Sequence, residues 1–347
     1  MRENCAFQYA RCPEYRAILD QAGFRPEQLQ GPEDLGELPP IPTLYFKRHH
    51  LSSMAGKHAL FHTTSSGTSG RRSEVNFDFG ALLCDLAMSL RACGTHGLIS
   101  PRPTRYVILG YQPHRGNHMG VMKSAFLSTF LAPAVKRTYA LRFREGEYRL
   151  DQEGLVEELR RCARQRHPVR LIGFPSYLHF LMQELEHRGL RFPMPSGSKI
   201  LLGGGWKQFY RQQVDKPQLY AEVKERLDIP EAAIHEVFSV VEHPIIYWDC
   251  PRHHFHIPVY SRVLIRDVRT LKPLPYGQPG LVNLMTPLLK SAPLMSILTD
   301  DLGVLHPGES CGCGCTAPWL EVLGRVGMTE IKTCAAGAEE YQRGERE

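Results

Sequence analysis

The apolar pattern of this chain switches repeatedly between the helical and the extended period, and this alternation is what most constrains its fold. Leucines and a cysteine recur on one helical face between Leu82 and Cys93. The strand-like segments that follow are Arg105–Gly110, Val169–Phe174 and Lys199–Leu202, and the helical ones are Leu155–Gln165, Tyr177–Arg188 and Val214–Leu227. Strands and helices in turn favour right-handed crossovers and a largely parallel sheet covered on both faces. The sequence therefore predicts an α/β body.

The pattern changes after Val237, where short strand-like segments follow one another without long helices between them. These segments are Phe255–Val259, Val263–Arg266, Leu281–Met285 and Leu294–Leu298. They indicate a smaller β-rich section. Near the other end, Glu14–Ala22 has a helical pattern. We therefore predict a helical segment over residues 1–60 that packs on the body, a main domain over 61–330 and a loosely ordered tail over 331–347.

Composition and charge exclude several classes of protein. The net charge of +6 is mild for 347 residues, and the basic residues are scattered, so nucleic-acid binding is not expected. No apolar run reaches the ~18 residues that a membrane span needs, and the first residues lack the apolar core of a signal peptide. We expect a cytoplasmic protein without a membrane span, and the composition is compatible with a homo-oligomer. Ten cysteines in such a compartment favour thiols, a metal site or catalysis over disulfides.

A loop rich in hydroxyl groups and glycines lies between residues 61 and 74, with the sequence F-H-T-T-S-S-G-T-S-G-R-R-S-E. Glycines let the backbone approach a phosphate closely, hydroxyl and N–H groups donate to its oxygens, and guanidinium groups offset its charge. The stretch is interpreted as a nucleotide-phosphate loop. A flexible Ser/Gly linker is the alternative, and the P-loop of kinases is disfavoured because G-K-[ST] is absent.

Three predicted strands end in loops with suitable chemistry, which matters because ligands of α/β sheets collect beyond the carboxyl ends of strands. These loops are Gly173–Tyr177, Gly203–Lys207 and Phe238–Glu242. The run G-G-G-W-K permits close approach of a base or ribose, Trp206 can stack, and Lys207 can meet a carboxylate or phosphate. A plain turn is the alternative for the three glycines.

Cysteine and histidine form a second constellation in two segments about sixty residues apart. Cys250 and His256 come from the first segment, and Cys311 and Cys313 come from the run C-G-C-G-C. Two soft ligands from each segment make the closed tetrahedral set that structural zinc requires. Cys315, His253 and His254 are substitutes for members of this set, and a group of reduced cysteines in a loop is the alternative.

The loop T-S-S-G-T-S-G followed by basic residues, together with the strand-end loops, resembles the adenylate-forming enzymes, which join a carboxylic acid to AMP. G-G-G-W-K, C-x5-H-I-P, S-I-L-T-D-D-L-G, C-G-C-G and a late G-R followed by a cysteine resemble, more specifically, the acyl-protein synthetases of bacterial luminescence (LuxE-like). Phenylacetate–CoA ligases are more distantly similar. The resemblance covers about residues 61–334 and implies that residues 61–330 are an ATP-binding domain. Only 22 residues follow Arg325, so we expect the usual C-terminal domain, with its catalytic lysine, to be lacking.

The resemblance implies roles for individual residues. Glu242 would help to hold Mg²⁺, Asp301 would bind the ribose hydroxyls, and Cys334 would carry the acyl group, as a late cysteine does in the luminescence synthetases. The residues expected to contact ATP are Thr64, Ser65, Ser66, Gly67, Thr68, Ser69, Gly70, Arg71, Gly203, Gly204, Gly205, Asp301 and Arg325. Lys207 is the candidate for the cation that replaces the missing lysine. A zinc site of the kind proposed above also occurs in phenylacetate–CoA ligase-like enzymes.

The predicted function is ATP-dependent activation of a fatty or aromatic acid as its acyl-adenylate, followed by transfer to a thiol. That thiol is the protein's own Cys334, coenzyme A or a group on a partner protein. A ligase that passes the acyl group to coenzyme A, a carrier protein or an amine is an alternative, and a nucleotide-binding scaffold without catalysis is another. Tyr177–Met182 and Tyr111–Met119, with His114 and His118, are candidates for the wall of the acyl pocket.

Overall fold

The computed structural model describes residues 1–49, 51–54, 61–64, 74–77, 79–114, 119–206, 209 and 212–326. The α-helices in these ranges are α1 Arg2–Arg11, α2 Pro13–Gln21, α3 Thr43–Phe46, α4 Phe79–Thr95, α5 Gly120–Leu127, α6 Gln152–Ala163, α7 Pro175–His187 and α8 Lys216–Leu227. The strands are β1 Ile41–Pro42, β2 Phe61–Thr64, β3 Glu74–Phe77, β4 Thr104–Tyr111, β5 Ala134–Arg144, β6 Glu147–Leu150, β7 Val169–Gly173, β8 Lys199–Gly203, β9 Ile234–Val240, β10 His243–Trp248, β11 Phe255–His256, β12 Arg262–Arg266, β13 Pro279–Met285, β14 Ser296–His306 and β15 Trp319–Arg325. Within the described residues, no helix is both long and apolar enough to cross a membrane.

The chain divides into two units. The first unit combines Met1–Ser89 with Ser239–Glu330, and the second unit contains Leu90–Phe238. The predicted boundaries at residues 60 and 330 stay predictions.

The second unit is the predicted α/β body. Its strands lie in the order β9–β8–β7–β4–β5–β6, and they pair in parallel except for β6, which is antiparallel to β5. Helix α6 packs against α7, and α7 packs against α8. Apolar residues are buried on both faces of the strands, with Val107 and Leu171 on one face and Ile108 and Ile172 on the other, as expected for a sheet covered by helices. The fold predicted from the helix–strand alternation is confirmed.

The first unit is built on an antiparallel sheet in the order β11–β15–β14–β13–β12, with β1 parallel to β14. Its core joins residues that are distant in sequence, because Tyr15 and Leu19 of α2 pack in one cluster with Leu294 and Ile297. Strands β2 and β3 form a separate two-stranded antiparallel sheet in which Thr64 pairs with Glu74.

Two predicted strands differ from the observed ones by three or more residues at one end, and seven observed strands were not predicted. The strand expected over Phe255–Val259 ends at His256, and Pro258 explains this because its nitrogen has no hydrogen to donate to a neighbouring strand. The strand expected over Leu294–Leu298 begins at Ser296 and continues to His306. The sequence interpretation missed β1, β2, β3, β5, β6, β10 and β15.

Candidate nucleotide and metal sites

Asp301 and Arg325 form an ion pair between two neighbouring strands of the first unit. Their Cα atoms are partners in the pairing of β14 with β15, and Arg325 Nε donates to Asp301 Oδ1 at 2.9 Å. Asp301 is 6% exposed, and its backbone N–H donates to Thr299 Oγ1 at 3.1 Å. The other carboxylate oxygen, Oδ2, is buried and has no hydrogen-bond partner among the described residues. A buried acceptor of this kind needs a donor beyond the described residues, and a bound ligand can supply one, because an unsatisfied carboxylate oxygen is costly.

Glu242 contributes to the same electrostatic group. It is 5% exposed and follows β9, in the turn that leads to β10. Partial burial acts to lower the pKa of Arg325, but the charge of Asp301, its hydrogen bond to Arg325 and the charges of Asp300 and Glu242 outweigh this and raise the pKa. One carboxylate thus contacts the guanidinium and two more act on it through their charge, which leaves a net negative charge suited to a divalent cation or to hydroxyl donors.

A buried histidine that the sequence interpretation missed anchors the turn at Glu242. His243 is fully buried, and its Nε2 lies 3.0 Å from the Tyr247 hydroxyl, which is 2.5 Å from Ser261 Oγ. Ser261 Oγ donates in turn to the carbonyl of Met285 at 2.9 Å. Burial lowers the pKa of His243 to about 3, against a smaller opposing effect of the Leu294 backbone, so the ring stays neutral. The only signal in the sequence was that a histidine follows Glu242.

The glycine run at Gly203 ends strand β8 in the second unit. A side chain at Gly203 would clash, because an added Cβ would lie 2.8 Å from Val237 Cγ2. Gly204 and Gly205 have φ angles of +80° and +65°, which glycine adopts without strain. An added Cβ at Gly205 would have no atom within 4 Å. Trp206 is 9% exposed and packs against the ring of His179 with centroids 5.6 Å apart, so this indole belongs to the core.

Several predicted site residues lie outside the described residues. They are Ser65, Ser66, Gly67, Thr68, Ser69, Gly70, Arg71, His118, Lys207 and Cys334. For the phosphate loop, the structure gives the frame alone. The loop joins Thr64, the last residue of β2, to the partner strand β3.

The four predicted metal ligands lie together in the first unit. The ligand atoms of Cys250, His256, Cys311 and Cys313 are all within 4.8 Å of one another. Cys250 Sγ is 3.5 Å from Cys311 Sγ, and Cys313 Sγ is 3.2 Å from His256 Nε2. These separations are far longer than the ~2.05 Å of a disulfide. They approach the ~3.8 Å between sulfurs that share a tetrahedral zinc ion with Zn–S bonds of ~2.3 Å.

Backbone pairing orients the histidine of this Cys/His cluster. His256 lies opposite Trp319 where β11 pairs with β15, and its Nδ1 is 2.7 Å from the carbonyl oxygen of Ala317. A proton on Nδ1 that is donated to this carbonyl leaves the lone pair of Nε2 directed at the sulfurs. This is the arrangement that metal-binding histidines usually show.

The sulfurs are also prepared for a cation. Backbone N–H groups of Arg252 and Cys315 donate to Cys250 Sγ and Cys313 Sγ at 3.3 and 3.4 Å. Burial acts to raise the pKa of Cys313, but hydrogen bonds from Cys315, Cys311 and Cys250 lower it. Burial and hydrogen bonds to Cys313 and Cys250 raise the pKa of Cys311 to about 12. Ionisation of Cys313 thus opposes that of Cys311, and a divalent metal would relieve this conflict.

The residues predicted as substitute ligands have other roles in the structure. His253 Nδ1 is 2.6 Å from Asp249 Oδ2. His254 stacks on Trp319 with centroids 3.8 Å apart, and its Nδ1 is 3.2 Å from Cys311 Sγ. Cys315 is exposed and contributes its backbone N–H.

The fold is that of the adenylate-forming ligases. An open conformation of 2-hydroxyisobutyryl-CoA ligase, solved with its acyl-adenylate and CoA, matches 94% of this chain and 73% of its own with a TM-score of 0.67 at 18% identity. A long-chain-fatty-acid–CoA ligase from Archaeoglobus fulgidus matches 77% of this chain and 52% of its own with a TM-score of 0.52 at 13% identity. The chain is thus shorter than these full ligases.

The chain belongs to the acyl-protein synthetase (LuxE) family, whose model matches residues 2–341. A long-chain-fatty-acid–luciferin-component ligase from Vibrio harveyi is 28% identical over 336 residues, which cover 95% of this chain and 83% of that one. A phenylacetate–coenzyme A ligase from Thermus thermophilus is 26% identical over 338 residues, which cover 94% of this chain and 68% of that one. The protein is therefore an AMP-forming ligase, which activates an acid as its adenylate and transfers the acyl group to a thiol. The resemblance found in the sequence motifs is confirmed.

Proposed function

We propose that the protein adenylates a fatty or aromatic carboxylic acid and transfers the acyl group to its own Cys334. The observation that carries the adenylation site is the buried, unpartnered Oδ2 of Asp301, because a ribose hydroxyl can donate the hydrogen bond it lacks. Arg325 holds the same carboxylate through Oδ1 and so fixes the direction in which Oδ2 points. The expected role of Asp301 in ribose binding fits this geometry.

Glu242 is proposed to hold Mg²⁺. One buried carboxylate together with the phosphates of a nucleotide is a common way to bind this ion, which usually keeps several waters as well. Mg²⁺, when bound, offsets the charge of the transferring phosphates. The neutral ring of His243 keeps the backbone of the turn in place without adding a positive charge that would compete with the ion.

The first step joins a carboxylate oxygen of the acid to the α-phosphorus of ATP and breaks the bond to the β-phosphate, so that pyrophosphate leaves. The hydroxyl groups and Arg71 of the phosphate loop are proposed to bind the outer phosphates. Lys207 is proposed to offset the charge that builds on the oxygens of the α-phosphate. In the second step the thiolate of Cys334 attacks the carbonyl carbon, a thioester forms, and AMP leaves.

The acyl group is proposed to lie near helix α7. The aromatic rings of Tyr177, Phe180 and Phe209 form a cluster in the second unit, with centroids 4.9 Å apart for Phe180 and Phe209 and 6.1 Å apart for Tyr177 and Phe209. His114, predicted to wall the pocket, is exposed and stacks on Phe143 with ring centroids 3.8 Å apart. The names of the relatives from Vibrio harveyi and Thermus thermophilus support a long-chain aliphatic or an aryl acid.

The Cys/His cluster is proposed to bind one structural zinc ion. Its ligands come from residues 250–256 and 311–313, and both segments flank the pairing of β11 with β15. Zinc bound there would join the two segments across the sheet edge and stabilise the first unit more than it affects the chemistry.

A screen of ATP–pyrophosphate exchange over fatty and aromatic acids tests the adenylation step. We expect exchange with at least one of these acids and a ten- to hundredfold loss when Thr64, Ser66 or Thr68 is replaced by alanine, since each hydrogen bond to a charged oxygen contributes ~1.5–3 kcal/mol. Absence of exchange with every acid would favour a nucleotide-binding scaffold. Unchanged exchange in all three variants would remove the phosphate loop from the site.

Acyl transfer is tested separately with a radiolabelled acid and ATP. Denatured wild-type protein should retain label that neutral hydroxylamine releases, as expected for a thioester. Cys334→Ser should lose the label while keeping pyrophosphate exchange, and Cys84→Ser, which removes a half-buried thiol of α4, should keep both. Label absent from the wild type, with coenzyme A accepting the acyl group instead, would favour the alternative that the relative from Thermus thermophilus suggests.

A further inference from the structure

Three cations and a tyrosine form a row across one face of the parallel sheet in the second unit. Arg137 of β5 is the register partner of Tyr106 of β4, Tyr106 is the partner of Arg170 of β7, and Arg170 is the partner of Lys199 of β8. Register partners on adjacent strands lie ~4.8 Å apart and point to the same side of the sheet. Four adjacent strands therefore direct one basic patch to one face.

The opposite face of the same strands carries two cations that are paired with a carboxylate. Arg105 and Lys136 each precede a member of the row by one residue, so their side chains lie on the other face. Both are paired with Glu158, which is 3% exposed, and the Lys136 Nζ–Glu158 Oε2 distance is 2.6 Å. On that face, one carboxylate compensates two cations.

The row has no such compensation, because the acceptors that its side chains contact are all neutral. Arg170 is 5% exposed, and its guanidinium donates to the Tyr106 hydroxyl at 3.4 Å. Lys199 Nζ donates to the carbonyl of His96 at 2.9 Å. Arg137 Nε donates to Thr129 Oγ1 at 2.7 Å.

No carboxylate in the described part of the chain bonds to Arg137, Arg170 or Lys199. Burial and then the charge of Arg170 lower the pKa of Lys199, which agrees with two cations that face each other without an anion between them. Burial also lowers the pKa of Arg170. Buried charges in proteins are normally paired, since leaving one unpaired costs several kcal/mol.

We propose that this row, which we call the cation row, binds a small oxyanion of the phosphate class. The guanidinium of Arg170 can form two parallel hydrogen bonds to such an anion, and Lys199 and Arg137 supply further charge from either side. Arg170 and Lys199 are the second and first residues of their strands, whereas Gly203 ends β8. The cation row therefore lies at the edge of the parallel sheet opposite the glycine run, and it is a second anion site, separate from the residues proposed to bind ATP.

The turn after α4 lies close to the ammonium group of Lys199. Gly97, in the turn after this helix, has a φ of +61°, and a Cβ added to it would lie 3.2 Å from Lys199 Nζ. A side chain there would press against the ammonium group. Glycine at this position therefore keeps the side of the ammonium that faces the turn free of a side chain.

Inorganic phosphate is the probe, used with the full-length protein in chloride buffer of matched ionic strength. We expect equilibrium dialysis with labelled phosphate to detect a bound ion that Arg170→Met loses. Wild-type protein should melt about 2 °C higher at a phosphate concentration of ten times Kd. Because Arg170→Met also removes a buried unpaired charge, it should melt no lower than the wild type in phosphate-free buffer and should show no rise with phosphate.

Two controls separate the cation row from other sources of binding. Lys272→Met removes one exposed charge and should keep the full effect of phosphate. Arg71→Met alters the loop proposed to bind ATP, and its melting temperature should still rise with phosphate. Loss of this rise in Arg71→Met alone would assign the bound phosphate to the ATP site and overturn the proposal. Adenosine 3′,5′-bisphosphate, added in a separate arm, distinguishes a phosphate ester from the free ion by competition. Wild-type protein that gains nothing from phosphate over chloride, or Arg170→Met that binds phosphate normally, would also overturn the proposal.

Discussion

Replacing Asp301 with asparagine should weaken ATP binding much more than it weakens the fold. Asparagine has nearly the shape of aspartate, and its Oδ1 can still accept the hydrogen bond that Arg325 Nε makes at 2.9 Å. The substitution alters the second oxygen of the carboxylate, which is buried. Oδ2, which lacks a partner among the described residues, becomes an NH₂ group that donates where the carboxylate would accept.

The magnitude follows from these contacts. A hydrogen bond from a ribose hydroxyl to a buried carboxylate contributes ~1.5–3 kcal/mol, so the KM for ATP should rise about ten- to hundredfold. The effect on folding should stay at about 1 kcal/mol or less, because the side chain of Arg325 is 34% exposed and keeps the charges of Asp300 and Glu242 nearby. ATP–pyrophosphate exchange at varied ATP, with thermal melting of the same samples, measures both quantities.

Asp300→Asn is the matched control. Asp300 precedes Asp301 on β14, so its side chain lies on the other face of the strand, yet its charge also raises the pKa of Arg325. It should change the KM for ATP by no more than a few-fold. A KM that is the same in Asp301→Asn and wild type would refute the assignment of Asp301 to the ribose. Equal increases in both variants would show that net charge, and not a specific acceptor, was responsible.

Three further predictions concern other residues. Purified protein should contain one zinc ion per chain by elemental analysis. Cys311→Ser should lose this ion and melt several degrees lower. Cys315→Ser retains the backbone N–H that donates to Cys313, so it should keep the zinc ion and the wild-type melting temperature. A metal-free wild type would contradict the site. Lys207→Met should reduce pyrophosphate exchange strongly but keep the affinity for ATP within a few-fold of wild type, because the charge that Lys207 offsets builds only in the transition state. A normal exchange rate would assign that role to another cation. Burial raises the pKa of Asp85 to about 6, above the ~3.8 of an unfolded chain. Ionised Asp85 therefore destabilises the fold above pH 6 and not below pH 4. At pH 8, Asp85→Asn should raise the free energy of unfolding by about 1–3 kcal/mol and with it the melting temperature, whereas at pH 4 the melting temperature should stay unchanged. Equal shifts of the melting temperature at both pH values would exclude this cause.

The Cys/His cluster could be predicted because metal chemistry selects residue types whatever their separation in sequence. Cys250 and Cys311 are 61 positions apart, yet their sulfurs lie 3.5 Å apart. Asp301 and Glu242 have no comparable local signal, since a single carboxylate is compatible with many roles. Their expected functions came from the resemblance to the adenylate-forming enzymes, and the structure adds that the charges of both carboxylates act on Arg325.

Other features could not be predicted because they depend on how strands align. The sequence of β5, A-V-K-R-T-Y-A-L-R-F-R, has basic residues spread among its apolar ones, so it does not resemble the apolar strands of a buried sheet. The cation row depends on the register between β4, β5, β7 and β8, which no single segment encodes. Helical periodicity likewise placed leucines on one face of α4, but it could not predict that Leu83 and Leu86 would be 48% and 51% exposed.

The way the amino-terminal helices are fixed has a consequence for the time course of synthesis. Asn4 Nδ2 donates to the carbonyls of Pro287 and Leu289 at 2.8 Å, and the second of these partners is 285 positions later in the chain. Gln8 Nε2 likewise reaches the carbonyls of Lys290 and Ala292 at 3.2 Å. At ~5–20 residues per second, a ribosome needs roughly 15–60 s to make these acceptors after the first helix has emerged. During that interval the apolar side of the helices has no final partner, so the nascent chain offers chaperones a binding segment that the finished protein conceals.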